Sequence, residues 1–402
     1  MTSPVFVFDA VRTPRGKGRP GGGLSGTPAP ELQAALITAI LERNSIDGRA
    51  IADLVLGCVT QVGEQGGNIA RVAGLLSNLP NSVPGMSINR YCTSGLDACH
   101  IAALKAAADP GRLFLAGGVE SMSRVPMLSD KASFYTDPEI IRAAPFVPMG
   151  LAADLVASLE GISRAQCDAY AQASQQRAAT AQVEGRFDKS LVEVKDRESG
   201  QPLRVDESVR GDVTLEKLAQ FEPLFVELAQ HGYEAVFRAA FPDLDSLDHV
   251  HHIGNSPGIV DGASLVLIGA ADAGERSGLA PRAVIKTVVN AADDEILALT
   301  GGFAASRSAL ALAGMRASDI DLVEFNESFA AVTVKFVRDS GFKPDQINVN
   351  GGAIALGHAM GATGGSLLGT LLDELERQDL STGLVAVSGA AGLGTAAIIE
   401  RV

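Results

Sequence analysis

One order of predicted elements occurs twice in this chain, once in each half, and this repetition limits the folds open to it. The segments IADLVLG (residues 51–57) and IDLVEFN (residues 320–326) each follow a helical stretch and each read as a strand. In the first half a further strand, Cys92, a helix and the strand RLFLAGG come next; in the second half INVNGG, the helix GGSLLGTLLDELERQ and the strand GLVAVSG come next. This alternation predicts βαβ units in each half.

The segment between the halves, from about Glu120 to Pro257, differs from them in composition and in the length of its connections. It holds prolines, methionines, long connections and charged helices such as SRAQCDAYAQASQQRAATA. Because it contains amphipathic helices of its own, we interpret it as an inserted cap or lid rather than a linker. The predicted boundaries are residues 1–119 for the first half, completed by about 258–275, then 120–257 for the insertion and 276–402 for the second half.

Composition excludes several classes of protein. The chain has 402 residues, 46% of them hydrophobic and 20% charged, which is enough for a large core. Its formal net charge of −14 argues against a nucleic-acid or anionic-membrane partner, although a local basic pocket for a small anion stays open. The N-terminal apolar run is interrupted by Asp9 and reads as a strand, and no stretch has the roughly 18 apolar residues of a membrane span.

The four cysteines lack CxxC spacing, which indicates neither a disulfide framework nor a zinc site and favours a reducing, cytoplasmic setting. We expect Cys58, Cys99 and Cys167 to be packing residues. The run HVHH (residues 249–252) suggests a metal site, but no carboxylate-rich partner is evident in the sequence, so we predict a surface or interface turn and no metal.

Cys92 lies immediately before a predicted helix, where unpaired N–H groups and the helix dipole favour an anion. Its pKa is therefore expected to fall below the roughly 8.5 of a free thiol, which would make it a nucleophile. On position alone it could equally be a small buried hydrophobe. His358, in a glycine-rich turn, has no apolar face to fill and suits a base that takes a proton from a thiol. Asn326, at a strand end, could hold a water against negative charge or simply cap a helix.

Eight segments, in this order along the chain, resemble the thiolases, and most closely the bacterial degradative type that forms the thiolase subunit of the fatty-acid oxidation complex. They are VRTPRGK, GEQGGNIAR, NRYCTSGL, AGGVESMSRVPM, HVHHIGNSPGIVDGA, LVEFNESFA, NVNGGAIALGHAMGATG and LGTLLDELER. The resemblance implies an α/β thiolase fold: two duplicated βαβαβαββ halves in a five-layered α-β-α-β-α core, with an inserted loop domain that binds coenzyme A. It also implies a homodimer or homotetramer, a possible hydratase or dehydrogenase partner subunit, and coenzyme A as a substrate with no bound cofactor.

The resemblance further implies an acyltransferase that cleaves 3-ketoacyl-CoA with CoA, or runs the reverse Claisen condensation. Cys92 would be acylated, and His358 would deprotonate it and, with a water held on Asn326, stabilise the thioester oxygen. The main-chain N–H groups of Cys92 and Ala390 would form a second oxyanion hole. Met149 would line the acyl end of the pocket.

Several positions depart from the family pattern. Ser388 stands where thiolases of this type usually have a second cysteine, and losing an acid-base group typically costs roughly 10²- to 10⁴-fold in rate unless Glu327 or a water substitutes. Pro257 replaces a serine that helps to hold pantetheine, and the neighbouring Ser256 is the candidate to compensate. Ala359 replaces a proline and Ser328 an alanine. Two alternatives follow: a paralogue for a branched or ring-derived 3-oxoacyl-CoA, or a non-catalytic acyl-CoA-binding or assembly subunit.

Overall fold

The structure is a computed structural model that describes residues 4–402. The strands are β1 (Val5–Arg12), β2 (Gly16–Lys17), β3 (Ile51–Gly57), β4 (Gly85–Ile88), β5 (Leu113–Ser121), β6 (Val194–Lys195), β7 (Pro202–Leu203), β8 (Val260–Ala270), β9 (Ala283–Ala292), β10 (Leu322–Phe325), β11 (Thr382–Ser388) and β12 (Leu393–Arg401). The helices are α1 (Ala29–Arg43), α2 (Ile69–Leu76), α3 (Ser94–Ala108), α4 (Ser133–Thr136), α5 (Pro138–Ala143), α6 (Met149–Glu160), α7 (Arg164–Val183), α8 (Leu215–Leu218), α9 (Val226–Ala229), α10 (Tyr233–Ala240), α11 (Ala271–Arg276), α12 (Gly301–Ala313), α13 (Ala330–Asp339), α14 (Ala353–Leu356) and α15 (Thr363–Arg377).

The main sheet repeats one strand order in its two halves. In the first half, β3 pairs in parallel with β4 and β5, and β8 and then β1 follow in antiparallel pairing. In the second half, β10 pairs in parallel with β11 and makes a bridge to Ile347, and β12 and then β9 follow in antiparallel pairing. The halves meet where β1 pairs with β9 at only two positions, Phe6 with Val284 and Val7 with Ala283. The predicted duplication is confirmed.

Five layers arise because each half-sheet buries both of its faces. Helices α1 and α2 cover the outer face of the first half, and α12 and α13 cover the outer face of the second. Between the halves lie α3 and α15, whose apolar residues share one cluster with strands of both half-sheets. Central strands such as β5 are buried along their whole length, which explains why LFLAGGVES reads as a nearly continuous apolar run.

Glycines allow the two central helices to approach closely. A Cβ added at Gly95 would lie 2.5 Å from the Gly361 carbonyl oxygen, and one added at Gly364 would lie 2.2 Å from the Leu96 nitrogen. Neither position can accept a side chain without moving backbone atoms. The small residues of TSGL and GATGG therefore set the distance between the start of α3 and the turn before α15.

The chain leaves the core after β5 and returns at β8, and the intervening residues 122–259 carry helices α4 to α10 and the small β6–β7 hairpin. Helix α7 begins at a capping box in which Ser163 and Gln166 satisfy each other's backbone N–H groups. The domain boundaries expected from the sequence stay a prediction. Within residues 4–402, no helix combines the length and the apolar character needed to cross a bilayer.

Candidate active site

Cys92 lies in a tight loop between β4 and α3. The loop is held by its own side chains: Ser94 Oγ donates to the Tyr91 carbonyl at 2.5 Å and accepts from the Arg90 N–H at 2.7 Å, and Thr93 Oγ donates to the Arg90 carbonyl at 2.8 Å. Tyr91 takes a left-handed backbone conformation, with φ 48°, to make the turn. Cys92 is half-buried and packs against the central apolar cluster.

The sequence-based expectation of a lowered thiol pKa at Cys92 is wrong. Burial, and then the negative charge of Glu120, raise the pKa of Cys92 to about 12, and a hydrogen bond from its own backbone opposes them only weakly. A helix terminus favours an anion, but here desolvation outweighs it. Cys92 is therefore a neutral thiol at neutral pH, and it would act as a nucleophile only after a base removed its proton.

His358 has the protonation state that such a base requires. Its Nδ1 lies 2.8 Å from Thr363 Oγ, whose own proton goes to the Ala359 carbonyl at 3.0 Å, so Nδ1 carries the hydrogen and donates. The other nitrogen, Nε2, is buried and has no partner among the described residues. Burial, and then the charge of Arg15, lower the pKa of His358 to about 4. At neutral pH the ring therefore offers a free lone pair at Nε2.

Three loops meet at this point. The start of α3 lies against Gly361, three residues after His358, and a Cβ added at Gly389 would lie 3.2 Å from Thr93 Cγ. The structure thus brings the loops of Cys92, His358 and Ser388 together, although they are far apart in sequence.

Asn326 and Ser388 lie at the carboxyl ends of the adjacent parallel strands β10 and β11. The Asn326 N–H donates to the Ala386 carbonyl at 2.9 Å, and its side-chain Nδ2 donates to Ser328 Oγ at 3.1 Å. Asn326 Oδ1 is buried and unpaired among the described residues. Ser388 is fully buried, and its Oγ accepts the Gly302 N–H at 3.0 Å, at the first turn of α12.

The turn after β11 presents a free backbone donor. Ala391 and Gly392 both have positive φ angles, 58° and 73°, which turn the chain sharply after Ala390. Among the described residues, the Ala390 N–H has no hydrogen-bond acceptor, and the Cys92 N–H has none besides its own sulfur. Two backbone N–H groups on adjoining loops that bind no other residue suit the binding of an oxyanion.

Met149 is the first residue of α6 and lies between two apolar clusters. It contacts the cluster of Leu299 and Phe303 on one side and that of Phe225 on the other. The next residue is Gly150, where an added Cβ would lie 2.1 Å from the Phe225 ring. The surroundings of Met149 are therefore apolar and tightly packed.

Ser256 and Pro257 line a cavity of about 780 Å³ between the insertion and the core. Ser256 Oγ is buried and unpaired among the described residues. Four cations and one carboxylate line the same cavity, together with the apolar side chains of Phe221, Leu224, Ile253 and Ile259. The cations are Lys17, Arg19, Arg210 and Lys217, and the carboxylate is that of Asp212, which lies 3.7 Å from Lys217 Nζ. Cys92 and His358 are not part of the lining, but the neighbouring Gly258 accepts the His358 N–H at 3.0 Å.

The histidines of HVHH are hydrogen-bonded to carboxylates on α6 and α7. Asp154 accepts from His249 Nδ1 at 2.9 Å and from His251 Nδ1 at 2.6 Å, while His252 Nε2 lies 2.7 Å from Asp168. Burial alone would raise the pKa of Asp154, but the two histidine hydrogen bonds lower it. His251 and His252 are fully buried rather than on a surface turn, so that part of the sequence interpretation is wrong. They fix the loop that carries Ser256 and Pro257.

Sequence reasoning missed the cations of the cavity and the buried carboxylate Glu120. Lys17 belongs to the segment VRTPRGK, but Arg210 and Lys217 come from the insertion and only the fold brings them to the same cavity. Glu327, considered above as a substitute acid-base group, has both oxygens occupied by Tyr170, Ser174, Asn348 and the Ile354 N–H. Its carboxylate has no free position for proton transfer.

Comparison with known proteins agrees with this geometry. Residues 5–230 match the family model described as "Thiolase, N-terminal domain", and residues 279–401 match "Thiolase, C-terminal domain". The chain is 36% identical to the 3-ketoacyl-CoA thiolase of Aeromonas hydrophila over 99% of both chains, and 37% identical to the beta-ketoadipyl-CoA thiolase of Pseudomonas aeruginosa over 100% of both. The crystal structure of the Bacillus anthracis acetyl-CoA acetyltransferase superposes with a TM-score of 0.86 at 27% identity, over 100% of this chain and 99% of that one.

The five-layered duplicated core, with a cysteine and a neutral histidine on adjoining loops, defines an α/β enzyme of acyl transfer. The two family models together cover most of the chain, and the two relatives that match it over their full length are 36% and 37% identical to it. The chain belongs to the thiolase family.

Proposed function

We propose that this protein is an acetyl-CoA C-acyltransferase that cleaves a 3-ketoacyl-CoA with CoA, or forms it by the reverse Claisen condensation, through an acyl-Cys92 intermediate. The observation that carries the proposal is the free Nε2 of a neutral His358, on a turn that packs against the start of α3, the helix that Cys92 precedes. A thiol with a raised pKa is activated by such a base.

In the cleavage direction, Cys92 Sγ attacks the 3-keto carbon while its proton passes to His358 Nε2. The tetrahedral oxyanion is stabilised by hydrogen-bond donors, for which a water held on Asn326 Oδ1 and the backbone N–H groups of Cys92 and Ala390 are the candidates. Collapse breaks the C2–C3 bond and releases the enolate of acetyl-CoA, which takes up a proton at C2. The thiol of CoA then attacks the acyl-Cys92 thioester, and its proton replaces the one given to the enolate. Cys92 leaves as a thiolate and takes its proton back from His358, and the shortened acyl-CoA is released.

We expect protonation of the acetyl-CoA enolate to be the slow step in this protein. Ser388 occupies the position of the usual cysteine, and its Oγ accepts a backbone N–H, so its own proton is still available to a substrate. A hydroxyl is nevertheless a much weaker acid than a thiol. We expect a slower enzyme than one with cysteine at this position.

Binding of CoA is supported by the cavity lined by Ser256 and Pro257. Its four cations match the phosphates of CoA within an otherwise acidic chain, and its apolar side chains suit the adenine and the pantetheine arm. Pro257 has no N–H to donate, whereas the unpaired Ser256 hydroxyl can hydrogen-bond a pantetheine amide. Met149, in its apolar surroundings, is the proposed wall of the acyl site.

A second candidate is a thiolase for a 3-oxoacyl-CoA whose acyl chain carries a polar group. Ser328 replaces an alanine, and while its Oγ accepts from Asn326, its proton has no acceptor among the described residues. A buried hydroxyl with a spare proton favours a substrate that accepts a hydrogen bond. The match to a beta-ketoadipyl-CoA thiolase supports the same candidate.

Self-association and a cytoplasmic location are further parts of the proposal. Strand β4 is the edge of the sheet and its residues are only partly covered, so a second copy could pair there to give a homodimer or a homotetramer. A solution mass at a multiple of 41.5 kDa would support this. The four cysteines are free thiols, as a reducing cytoplasm requires, and a hydratase or dehydrogenase subunit remains a candidate partner.

The deciding experiment is CoA-dependent thiolysis of acetoacetyl-CoA, longer 3-ketoacyl-CoAs and beta-ketoadipyl-CoA, with Ser388→Cys beside the unaltered protein. We expect turnover by both, and a rate roughly 10²- to 10⁴-fold higher for Ser388→Cys. An acyl adduct on Cys92, seen by intact mass after exposure to acetoacetyl-CoA, should precede turnover. Binding of CoA with neither adduct nor turnover would show a non-catalytic acyl-CoA-binding subunit instead.

A further inference from the structure

Glu120 is a fully buried carboxylate near the end of β5. Its Oε1 accepts the Thr60 N–H at 3.1 Å and Gln65 Nε2–H at 2.9 Å. Its Oε2 accepts the Val59 N–H at 2.9 Å and the Gly361 N–H at 3.0 Å. A longer contact, from the Cys58 thiol to Oε1 at 3.9 Å, comes from the residue that directly follows β3. The four N–H donors and this thiol are all neutral, so within residues 4–402 this anion is held by hydrogen bonds alone.

The four donors come from both halves of the molecule. Three of them belong to the loop that follows β3, and the fourth, Gly361, belongs to the turn that begins at His358. Gln65 is fixed in turn, because its Oε1 accepts the Ser121 N–H at 2.6 Å. One side chain thus connects the end of β3, the end of β5 and the histidine turn.

We propose that Glu120 is a positioning residue for the acylation of Cys92, because its carboxylate holds the His358 turn against the first half of the molecule. The inference rests on the proposed function. It assigns a role to a residue that touches neither the thiol nor the imidazole directly.

Only a carboxylate can satisfy these four donors at once. Glutamine has a single oxygen, and its NH₂ group would face two of the N–H donors that now point at Glu120. At least one buried backbone N–H would lose its acceptor, and the histidine turn would have to shift to find another. A displacement of about 1 Å at a reacting group can lower a rate roughly 10²-fold.

Glu120 also acts on Cys92 through its charge, which adds to burial in raising the pKa of that thiol. Other titratable or charged groups surround the thiol on the elements packed against it. They are Arg90 and Tyr91 before α3, Asp97 and Cys99 within α3, Cys58 after β3, His358 on the turn before α15, and Arg15 after β1. Arg90 is paired with Asp97 at 2.7 Å and His358 is neutral, so Glu120 is the negative charge that acts on the thiol.

Two substitutions separate the effect of the Glu120 charge from the effect of its side-chain length. Glu120→Gln removes the charge, so the pKa of Cys92 should fall. Alkylation by iodoacetamide at fixed pH should then quicken, because the larger thiolate fraction outweighs the lower nucleophilicity of a less basic thiolate. Glu120→Asp keeps the charge but withdraws the carboxylate by roughly 1.5 Å. The pH profile of alkylation should therefore match that of the unaltered protein, while acylation slows. In both variants we expect acylation by acetoacetyl-CoA, followed by stopped-flow and intact mass, to slow by roughly 10²-fold.

Glu327→Gln is the matched control, because Glu327 is equally buried and also held by neutral donors, but its charge does not act on Cys92. Its alkylation profile should match that of the unaltered protein. If Glu120→Gln keeps the acylation rate, the inference is overturned. If Glu120→Gln does not fold, acylation of Glu120→Asp at the normal rate overturns it. Failure of the proposed function is a different result, because the unaltered protein would then form no acyl adduct at all, whereas failure of the inference alone leaves that adduct in place.

Discussion

At the scale of single residues, the pKa of Cys92 is raised and the pKa of His358 is lowered, so that both side chains are neutral at neutral pH. Burial is the first cause in each case, with Glu120 second at the thiol and Arg15 second at the imidazole. A neutral thiol beside a neutral imidazole is stable until a substrate develops charge that the site can stabilise. We therefore expect the Cys92 thiol to react slowly in the absence of acyl-CoA.

This pairing predicts an unusual acid limb in the pH dependence of acylation. His358 accepts a proton only while it is neutral, and its pKa of about 4 keeps it neutral down to about pH 5. The rate constant for acylation of Cys92 by acetoacetyl-CoA should thus be flat from pH 8 to about pH 5 and fall toward pH 4. A midpoint near 6.5, the value of an ordinary histidine, would contradict the burial argument.

A second residue-scale prediction separates the nucleophile from a packing cysteine. Cys92→Ala should abolish both the acyl adduct and thiolysis, because no other group takes its place. Cys99→Ala is the control: that thiol is also buried, with its pKa raised to about 12, but it faces the central apolar cluster inside α3. Cys99→Ala should still form the acyl adduct, and only its free energy of unfolding should fall. Turnover that survives Cys92→Ala would refute the covalent mechanism.

At the scale of elements, the loop of residues 249–258 depends on one carboxylate of α6. Asp154→Ala would leave the ring N–H groups of His249 and His251 and two backbone N–H groups without their acceptor. We expect a loss of about 3–5 kcal/mol in the free energy of unfolding, measured by denaturant titration. The KM for CoA should rise as well, because this loop carries Ser256 and Pro257.

The control for that loop is Asp248→Ala. Asp248 is exposed, and its recorded hydrogen bond is made by its backbone N–H to Ser158 Oγ. The free energy of unfolding and the KM for CoA should stay within error of the unaltered protein. An equal loss in both variants would mean that the histidine network does not hold the loop.

At the scale of the whole molecule, the two halves share their central core. Leu372, on α15, is fully buried in the cluster that both half-sheets contribute to. Leu372→Ala should lower the free energy of unfolding by about 2–5 kcal/mol and still give one transition, coincident by far-UV circular dichroism and tyrosine fluorescence. Two separated transitions would show that the halves unfold independently.

The repeated strand order was predictable from the sequence because each half carries the same alternation of buried strands and helices. The loop of Cys92 and the turn of His358 could also be recognised, since their small residues form segments typical of one family. The thiol pKa, the cations of the cavity beside Ser256 and the hydrogen bonds of Glu120 could not. Each depends on charges or N–H groups that lie far apart in sequence and meet only in the folded chain.

The matching strand order of the two halves places a local pseudo-twofold axis between α3 and α15. The loop of Cys92 enters α3 after β4, and the turn of His358 enters α15 after the counterpart of β4 at Ile347. Cys92 and His358, the proposed nucleophile and base, therefore occupy one structural position that the molecule contains twice. In the proposed mechanism, their different chemistry is a difference of side chains at symmetry-related places, and this symmetric scaffold has a single, asymmetric reaction centre.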